Sequence, residues 1–167
     1  MGKSSITSAF VKDGFSPVYR QTLGVDFMEK TLHLRGDSTA NVRVRDIGGQ
    51  SISSNNLSKY LSGTDGVFLV YDVTNGESFD NLIDWLCVAR KHSPPATPMY
   101  IIGNKVDLIA ARVVSDDRHN DRIQSEGLAG GMLVSARSGE ALLRTFYKVL
   151  SPPLTLSFYW LPSPLPN

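Results

Sequence analysis

Two continuous apolar runs, Val67-Phe68-Leu69-Val70-Tyr71 and Met99-Tyr100-Ile101-Ile102, constrain this chain more than any other feature. A run of strand length without polar alternation is expected where both faces of a sheet are covered, as in parallel strands joined by helices. The segment between the runs supplies such a cover. Phe79, Leu82, Ile83, Leu86 and Ala89 recur at spacings of three and four, with Ser78 placed to cap the start and Pro94-Pro95 just past the end. Val25 to Leu34 and Asn41 to Arg45 flank the turn-like Gly36-Asp37-Ser38 and read as a hairpin. Met132-Leu133-Val134 is a candidate last strand, and a weakly periodic helix is expected between Asp116 and Glu126. Leu142, Phe146, Val149 and Leu150 form another helical pattern, stopped by Pro152-Pro153. The alternation predicts an α/β fold, a mainly parallel sheet with helices on both faces.

With 167 residues the chain fits one domain. Hydrophobic residues at 41% and charged residues at 20% are ordinary for a packed globular protein. Basic and acidic residues nearly balance, 17 against 16, with no long run of either sign. No strong positive field arises, so nucleic acid is not an expected partner. Residues 1–7 lack the apolar core of a signal peptide, and no apolar run reaches the 18 or so residues of a membrane span. A cytoplasmic location is the expectation. Cys87, the single cysteine, lies inside an apolar helical pattern and reads as a buried, unpaired thiol in a reducing compartment.

Chemistry concentrates in short polar motifs at the ends of these strands. Gly2-Lys3-Ser4-Ser5 precedes the apolar Ile6, Ala9, Phe10 and Val11. Backbone amides, a lysine and a hydroxyl at a helix N-terminus are what a nucleotide triphosphate and its Mg²⁺ require, although the triplet alone also fits an ordinary capped helix start. Asp46-Ile47-Gly48-Gly49-Gln50 leaves a strand as D-x-x-G-Q. That pattern sets a carboxylate near a metal, an amide near the γ-phosphate and a glutamine near the attacking water; the bland alternative is a Gly-Gly turn. Asn104-Lys105-Val106-Asp107 follows another strand as N-K-x-D, whose aspartate can accept both hydrogen bonds from guanine N1–H and its exocyclic amine. Adenine offers no such donor pair, which disfavours an adenine-nucleotide kinase or ATPase. Ser135-Ala136-Arg137 follows the last strand and carries no meaning alone.

Four motifs in this order, each at a strand end, resemble the small GTPase superfamily with its P-loop fold. Tyr19-Arg20-Gln21-Thr22-Leu23-Gly24-Val25-Asp26-Phe27 is similar to the first switch of Rab proteins. Asp46 to Gln50 with its extra glycine, Ser51-Ile52-Ser53, and Leu69 to Asn75 resemble the divergent Rab twenty-eight branch. The resemblance covers residues 2 to 150 and implies a switch that binds GTP or GDP with Mg²⁺, hydrolyses GTP, and serves vesicle or membrane traffic. Gly2, Lys3, Ser4 and Ser5 would then surround the phosphates, with Lys3 on the β- and γ-phosphates. Ser4, Thr22 and Asp46 would serve the metal, Asp46 through a bound water. Gly49 would sense the γ-phosphate, and Gln50 would orient the water. Asn104, Lys105 and Asp107 would frame the base beside Ser135, Ala136 and Arg137, Ala136 donating its amide to the guanine carbonyl oxygen. Thr22 reads equally as a loop hydroxyl. The implied partners are exchange factors, activating proteins and effectors at the switches.

The sequence also departs from that pattern. The family's phosphate loop begins before Gly2, on a first strand at the centre of the sheet, between the strands here starting at Asn41 and Val67. The expectation is an incomplete domain over 1–150 that lacks this strand, leaving a vacant slot. Residues 151–167 hold five prolines around Leu154 to Leu161 and are read as a poorly ordered apolar tail. Arg45 stands where an aromatic usually joins an effector-reading cluster, with Phe27 and Tyr60 as its other members. No cysteine lies near the C-terminus, so no prenyl anchor and no stable membrane attachment are expected. The competing reading is a non-catalytic fragment that binds partners but no nucleotide.

Overall fold

The strands expected from the apolar runs form one six-stranded sheet in the computed structural model, which describes residues 2–12, 25–33, 39–48, 54–138, 142 and 156–161. In chain order the elements are α1 (Lys3–Lys12), β1 (Val25–His33), β2 (Thr39–Ile47), α2 (Ser54–Leu61), β3 (Gly66–Asp72), α3 (Gly76–Asp80), α4 (Leu82–His92), β4 (Met99–Asn104), α5 (Asp116–Ser125), β5 (Gly130–Leu133) and β6 (Leu156–Leu161). A 3₁₀ turn covers Ile109–Ala111. The strand order is β1-β2-β6-β3-β4-β5, with β1 antiparallel to β2 and every other pair parallel.

The side-chain period of two explains why β3 reads as unbroken apolar sequence. Phe68 and Val70 enter a core with Ile6 and Phe10 of α1, Val42, Val44, Ile102 and Val134. Val67, Leu69 and Tyr71 enter the opposite core with Leu57, Leu61, Phe79, Trp85 and Leu86. Every β3 residue is buried, whereas β2 alternates buried Ala40, Val42 and Val44 with exposed Asn41 and Arg43. Leu142 is buried in the first core; Phe146, Val149, Leu150 and the Gly36-Asp37-Ser38 turn lie outside the described residues.

Three details differ from the sequence expectation. Ser78 does not cap the helix. Asn75 is the cap of α3, its side chain accepting from the Ser78 amide at 2.9 Å, while the buried Ser78 hydroxyl accepts from the Asp72 amide at 3.0 Å. Cys87 is exposed rather than buried, and Ile83 is 41% exposed. At 100° per residue, the stripe facing the sheet is Leu82, Trp85, Leu86 and Ala89, and positions 83 and 87 turn away from it.

The third difference is the largest. Leu156–Leu161, expected in an unordered tail, is a strand in the central slot expected to be vacant. It pairs in parallel with β2, Val42 opposite Leu156 through Asp46 opposite Trp160, and with β3, Gly66 opposite Phe158 through Leu69 opposite Leu161. Its composition fits that position: apart from Ser157 it is a run of leucines and aromatics without an internal proline, as a central parallel strand requires. Pro153 and Pro162 fall outside it.

A buried polar pair ties the second core to α5. Tyr71 and His119 Nδ1 lie 2.9 Å apart, both nearly inaccessible to water. Gly131 makes room for the ring, because a Cβ there would stand 2.6 Å from His119 Nε2. Burial pushes the imidazole down from 6.5 to about 4; Asp116 opposes that push and Arg112 adds to it. The folded state thus holds neutral histidine. Its contribution is complete above pH 6.5 and is lost as pH falls from 6.5 toward 4, worth about 3 kcal/mol in full. Urea midpoints of the chain should therefore drop more steeply between pH 7 and pH 4.5 than those of His119→Gln. Parallel slopes would remove His119 as the cause.

Candidate functional site

The carboxyl ends of the parallel strands gather the polar motifs on one edge, where open α/β sheets place their ligands. Helix α1 begins at this edge. Gly2 adopts φ +86°, a left-handed conformation natural to glycine, and its Cβ position would fall 2.6 Å from Asn104 Nδ2. Only glycine lets the start of α1 approach the end of β4 this closely. Ile6 N–H donates to the Gly2 carbonyl at 2.9 Å, so helical bonding starts at Gly2 and leaves the amides of the first turn for a ligand. No acidic side chain sits in that turn to compete.

Ser4 Oγ donates to the buried carboxylate of Asp46 at the end of β2, 2.5 Å away, which joins the first and second motifs. Lys3 is half-buried beside them. Burial pushes its ammonium below the ordinary value, and the Asp46 charge partly restores it. Ser5 lies half-buried in the same turn.

Asn104 is buried at the end of β4, and its Oδ1 accepts the Ala136 N–H at 3.0 Å. Ser135 Oγ accepts from the amides of Arg137 at 3.2 Å and Ser138 at 3.3 Å, closing the turn after β5. The structure thus brings the third and fourth motifs together, but the Ala136 amide, expected to reach a guanine oxygen, donates here to Asn104. Arg137 and Asp107 are exposed at the same edge. Thr22, Gly49 and Gln50 lie outside the described residues.

Sequence reasoning gave no role to Asp72, and the structure does. Lys105 takes a positive φ of 70°, unusual for a side chain with a Cβ, and its ammonium is paired with Asp72 at the end of β3. Burial alone would raise the Asp72 pKa, but hydrogen bonds from Lys105 and from Thr74 outweigh it and hold the carboxyl below its usual range. Thr74 donates through its amide at 2.9 Å and its hydroxyl at 2.6 Å. An acidic residue closing a wholly apolar strand was the available signal.

Arg45, Phe27 and Tyr60 also meet. The guanidinium lies 5.9 Å from the Phe27 ring centroid and donates to the Tyr60 carbonyl at 2.8 Å, with Phe27 63% exposed. The positive charge replaces an aromatic in the cluster yet keeps it assembled. A cavity of about 420 Å³ among Arg90, Pro94, Pro98 and Gly127 lies near the amino end of β4, away from this edge.

A helix that starts at a Gly-Lys-Ser turn, a carboxylate bonded to its serine, and an Asn-Lys pair at the end of β4 are the features of a P-loop-type α/β domain of the small-GTPase class. Comparison with known proteins sharpens this. The Ras family model matches residues 1–153. The chain is 42% identical over 153 residues to Ras-related protein Rab-28 of Caenorhabditis elegans, covering 90% of this chain and 61% of that protein. It is 38% identical to Ras-related protein RGP2 of Oryza sativa subsp. japonica over 77% of this chain and 58% of that protein. With the Ypt/Rab-type GTPase YPT7 of Saccharomyces cerevisiae it shares 34% over 83% of this chain and 69% of that protein. The chain belongs to the Ras family, as a Rab-type small GTPase. It spans about 60% of the length of the first two of these relatives.

Proposed function

We propose that this chain is a guanine-nucleotide-binding switch domain that holds GTP or GDP with Mg²⁺ and hydrolyses GTP, acting in membrane or vesicle traffic through exchange factors, activating proteins and effectors. The observation that supports this reading best is the convergence at one sheet edge of Gly2 to Ser4, Asp46, Asn104 with Lys105, and the Ser135-Ala136 turn.

The donor chemistry suits Mg²⁺. Among the described residues no cluster of three or more His, Cys, Asp or Glu side chains could cage a metal. Ser4 and Asp46 offer hard oxygen donors and a single carboxylate, which fits an ion that keeps waters and takes phosphate oxygens. When bound, the ion neutralises charge on the β- and γ-phosphates. Lys3 and the first-turn amides of α1 would bind those phosphates. Asp107 would select the base, and Asn104 and Lys105 would fix the loop that carries it. Gln50 would orient water, so intrinsic turnover should be slow without an activating protein.

Titration with a fluorescent GDP analogue, with and without Mg²⁺, tests binding; saturable, Mg²⁺-dependent binding is expected. For hydrolysis, Gln50→Leu should slow single-turnover release of phosphate at least about tenfold, some 1.4 kcal/mol or more of barrier, with nucleotide affinity nearly unchanged. Equal rates would reduce Gln50 to a turn residue. If no nucleotide binds, the second reading stands: a non-catalytic partner-binding domain, favoured by the exposed Phe27 held under Arg45.

A further inference from the structure

The sheet is two blocks of strands joined by one. The hairpin β1-β2 carries Asp46, while β3-β4-β5 carries Asp72, Asn104 and, just beyond β5, Ser135 and Ala136. Strands β2 and β3 are not neighbours in the sheet. Parallel strands lie about 4.8 Å apart, so these two sit about 10 Å apart and cannot exchange backbone hydrogen bonds. Among the described residues only β6 bonds to both, with Trp160 opposite Asp46 on one side and Leu161 opposite Leu69 on the other. The carboxyl end of β6 therefore aligns with the strand end that delivers the candidate metal carboxylate.

Helix α1 crosses the same gap by side-chain contacts. Ser4 reaches Asp46 on one block and Gly2 packs against Asn104 on the other. A helix start that touches both blocks keeps its geometry only while their separation is fixed. The strand that fixes it is drawn from residues 156–161, past the whole of the rest of the domain in sequence, instead of leading directly into the helix as the strand–loop–helix phosphate motif requires.

We propose that Leu156–Leu161 is the positioning element of the nucleotide site: by bridging β2 and β3 it holds the Ser4–Asp46 half against the Asn104–Lys105 half. Docking of this strand and binding of guanine nucleotide are then reciprocally coupled, each favouring the other by the same factor. The coupling rests on the nucleotide-binding reading given above; the positioning of the two halves does not.

The test uses the full chain. Phe158→Pro removes a ladder donor and the freedom of the backbone at the middle of β6, and Leu165→Pro places the same change beyond it. Nitroxide labels at Thr31→Cys on β1 and Asp117→Cys on α5, both exposed, report the separation of the blocks in a Cys87→Ser background. The expected result is one narrow distance in the parent and in Leu165→Pro, a broadened distribution in Phe158→Pro, and at least a tenfold loss of GDP affinity in Phe158→Pro alone. In the unmodified chain, saturating GDP and Mg²⁺ should slow amide exchange of Ser157 to Trp160 at least tenfold. A narrow distance with unchanged affinity in Phe158→Pro overturns the proposal. Broadening with unchanged affinity, or nucleotide binding that leaves the β6 amides unaffected, overturns the coupling while the nucleotide reading stands. Should the unmodified chain bind no GDP, the proposed function falls, the coupling falls with it, and the label distance alone decides the positioning role. If Phe158→Pro loses its fold while Leu165→Pro keeps it, the label distance in the milder Tyr159→Gly, which weakens β6 without removing an amide, decides the positioning (broadened supports it, narrow overturns it), and the exchange measurement decides the coupling.

Discussion

Lys3→Met is expected to cost guanine nucleotide affinity by about 10²-fold or more while leaving the ligand-free chain no less stable. A hydrogen bond to a charged group contributes roughly 1.5–3 kcal/mol, and the ammonium is assigned to two phosphate groups. The two halves of the prediction have separate causes. In the ligand-free chain the ammonium is half-buried at the start of α1, and burial pushes its pKa down with only Asp46 in opposition. A charge held in that way is a cost to the fold, so an apolar side chain of similar length relieves it. Once phosphates are present, the same charge has partners for all three of its donors. Binding should therefore collapse where folding does not. Titration with fluorescent GDP measures the first half, and urea unfolding without ligand the second. Unchanged affinity would detach Lys3 from the phosphates. A large loss of ligand-free stability would make it a structural residue whose charge Asp46 needs.

The motif Gly2-Lys3-Ser4 states a chemistry, and its place at a helix start was legible from the apolar Ile6, Ala9 and Phe10 that follow. That Ser4 meets Asp46 across the sheet was not, because it depends on which strands are neighbours. Local pattern read β3 and β4 almost to the residue, since burial on both faces leaves an unambiguous apolar run. It failed for Cys87 and Ile83, where a helix with more apolar residues than its buried stripe can hold must expose some of them.

The misreading of residues 156–161 has a different origin. Leu-Ser-Phe-Tyr-Trp-Leu is as good a strand as β4 by composition, but it stands among five prolines and follows the last expected element. Proximity in sequence argued for a tail, while the open edges of β2 and β3 demanded a partner. The physical requirement prevailed. Reading the vacant slot and the unassigned apolar run together would have predicted the pairing, although not its register. Asp72 is illegible for a simpler reason: its partner Lys105 lies 33 residues away in a motif whose pattern already accounts for the lysine through the base, so nothing local marks the ion pair.

Asp107→Asn should leave the fold untouched and change which base it accepts. Asp107 is exposed beyond the end of β4, and exposed substitutions outside caps and networks alter stability by about 0.5 kcal/mol or less. Its assigned task is to accept from guanine N1–H and the exocyclic amine, a bidentate pairing of the kind that discriminates by roughly 1–3 kcal/mol. Asparagine keeps one acceptor and turns the other into a donor. Guanine then presents a donor to a donor, and affinity for GDP should fall about 10–100-fold. Xanthine carries a carbonyl where guanine carries the amine, so the same amide should recover affinity for xanthosine diphosphate by a similar factor. The reversal isolates the base contact, since a loop merely disturbed by the substitution would weaken both nucleotides alike. Neighbouring restraints favour a local effect: Asn104 is fixed by the Ala136 amide and Lys105 by Asp72, so the backbone that carries residue 107 does not depend on its side chain. Competition between the two diphosphates for the fluorescent analogue gives the ratio directly. If the ratio in the variant equals that of the parent, Asp107 does not read the base, and the specificity assigned to this strand end must come from backbone groups alone.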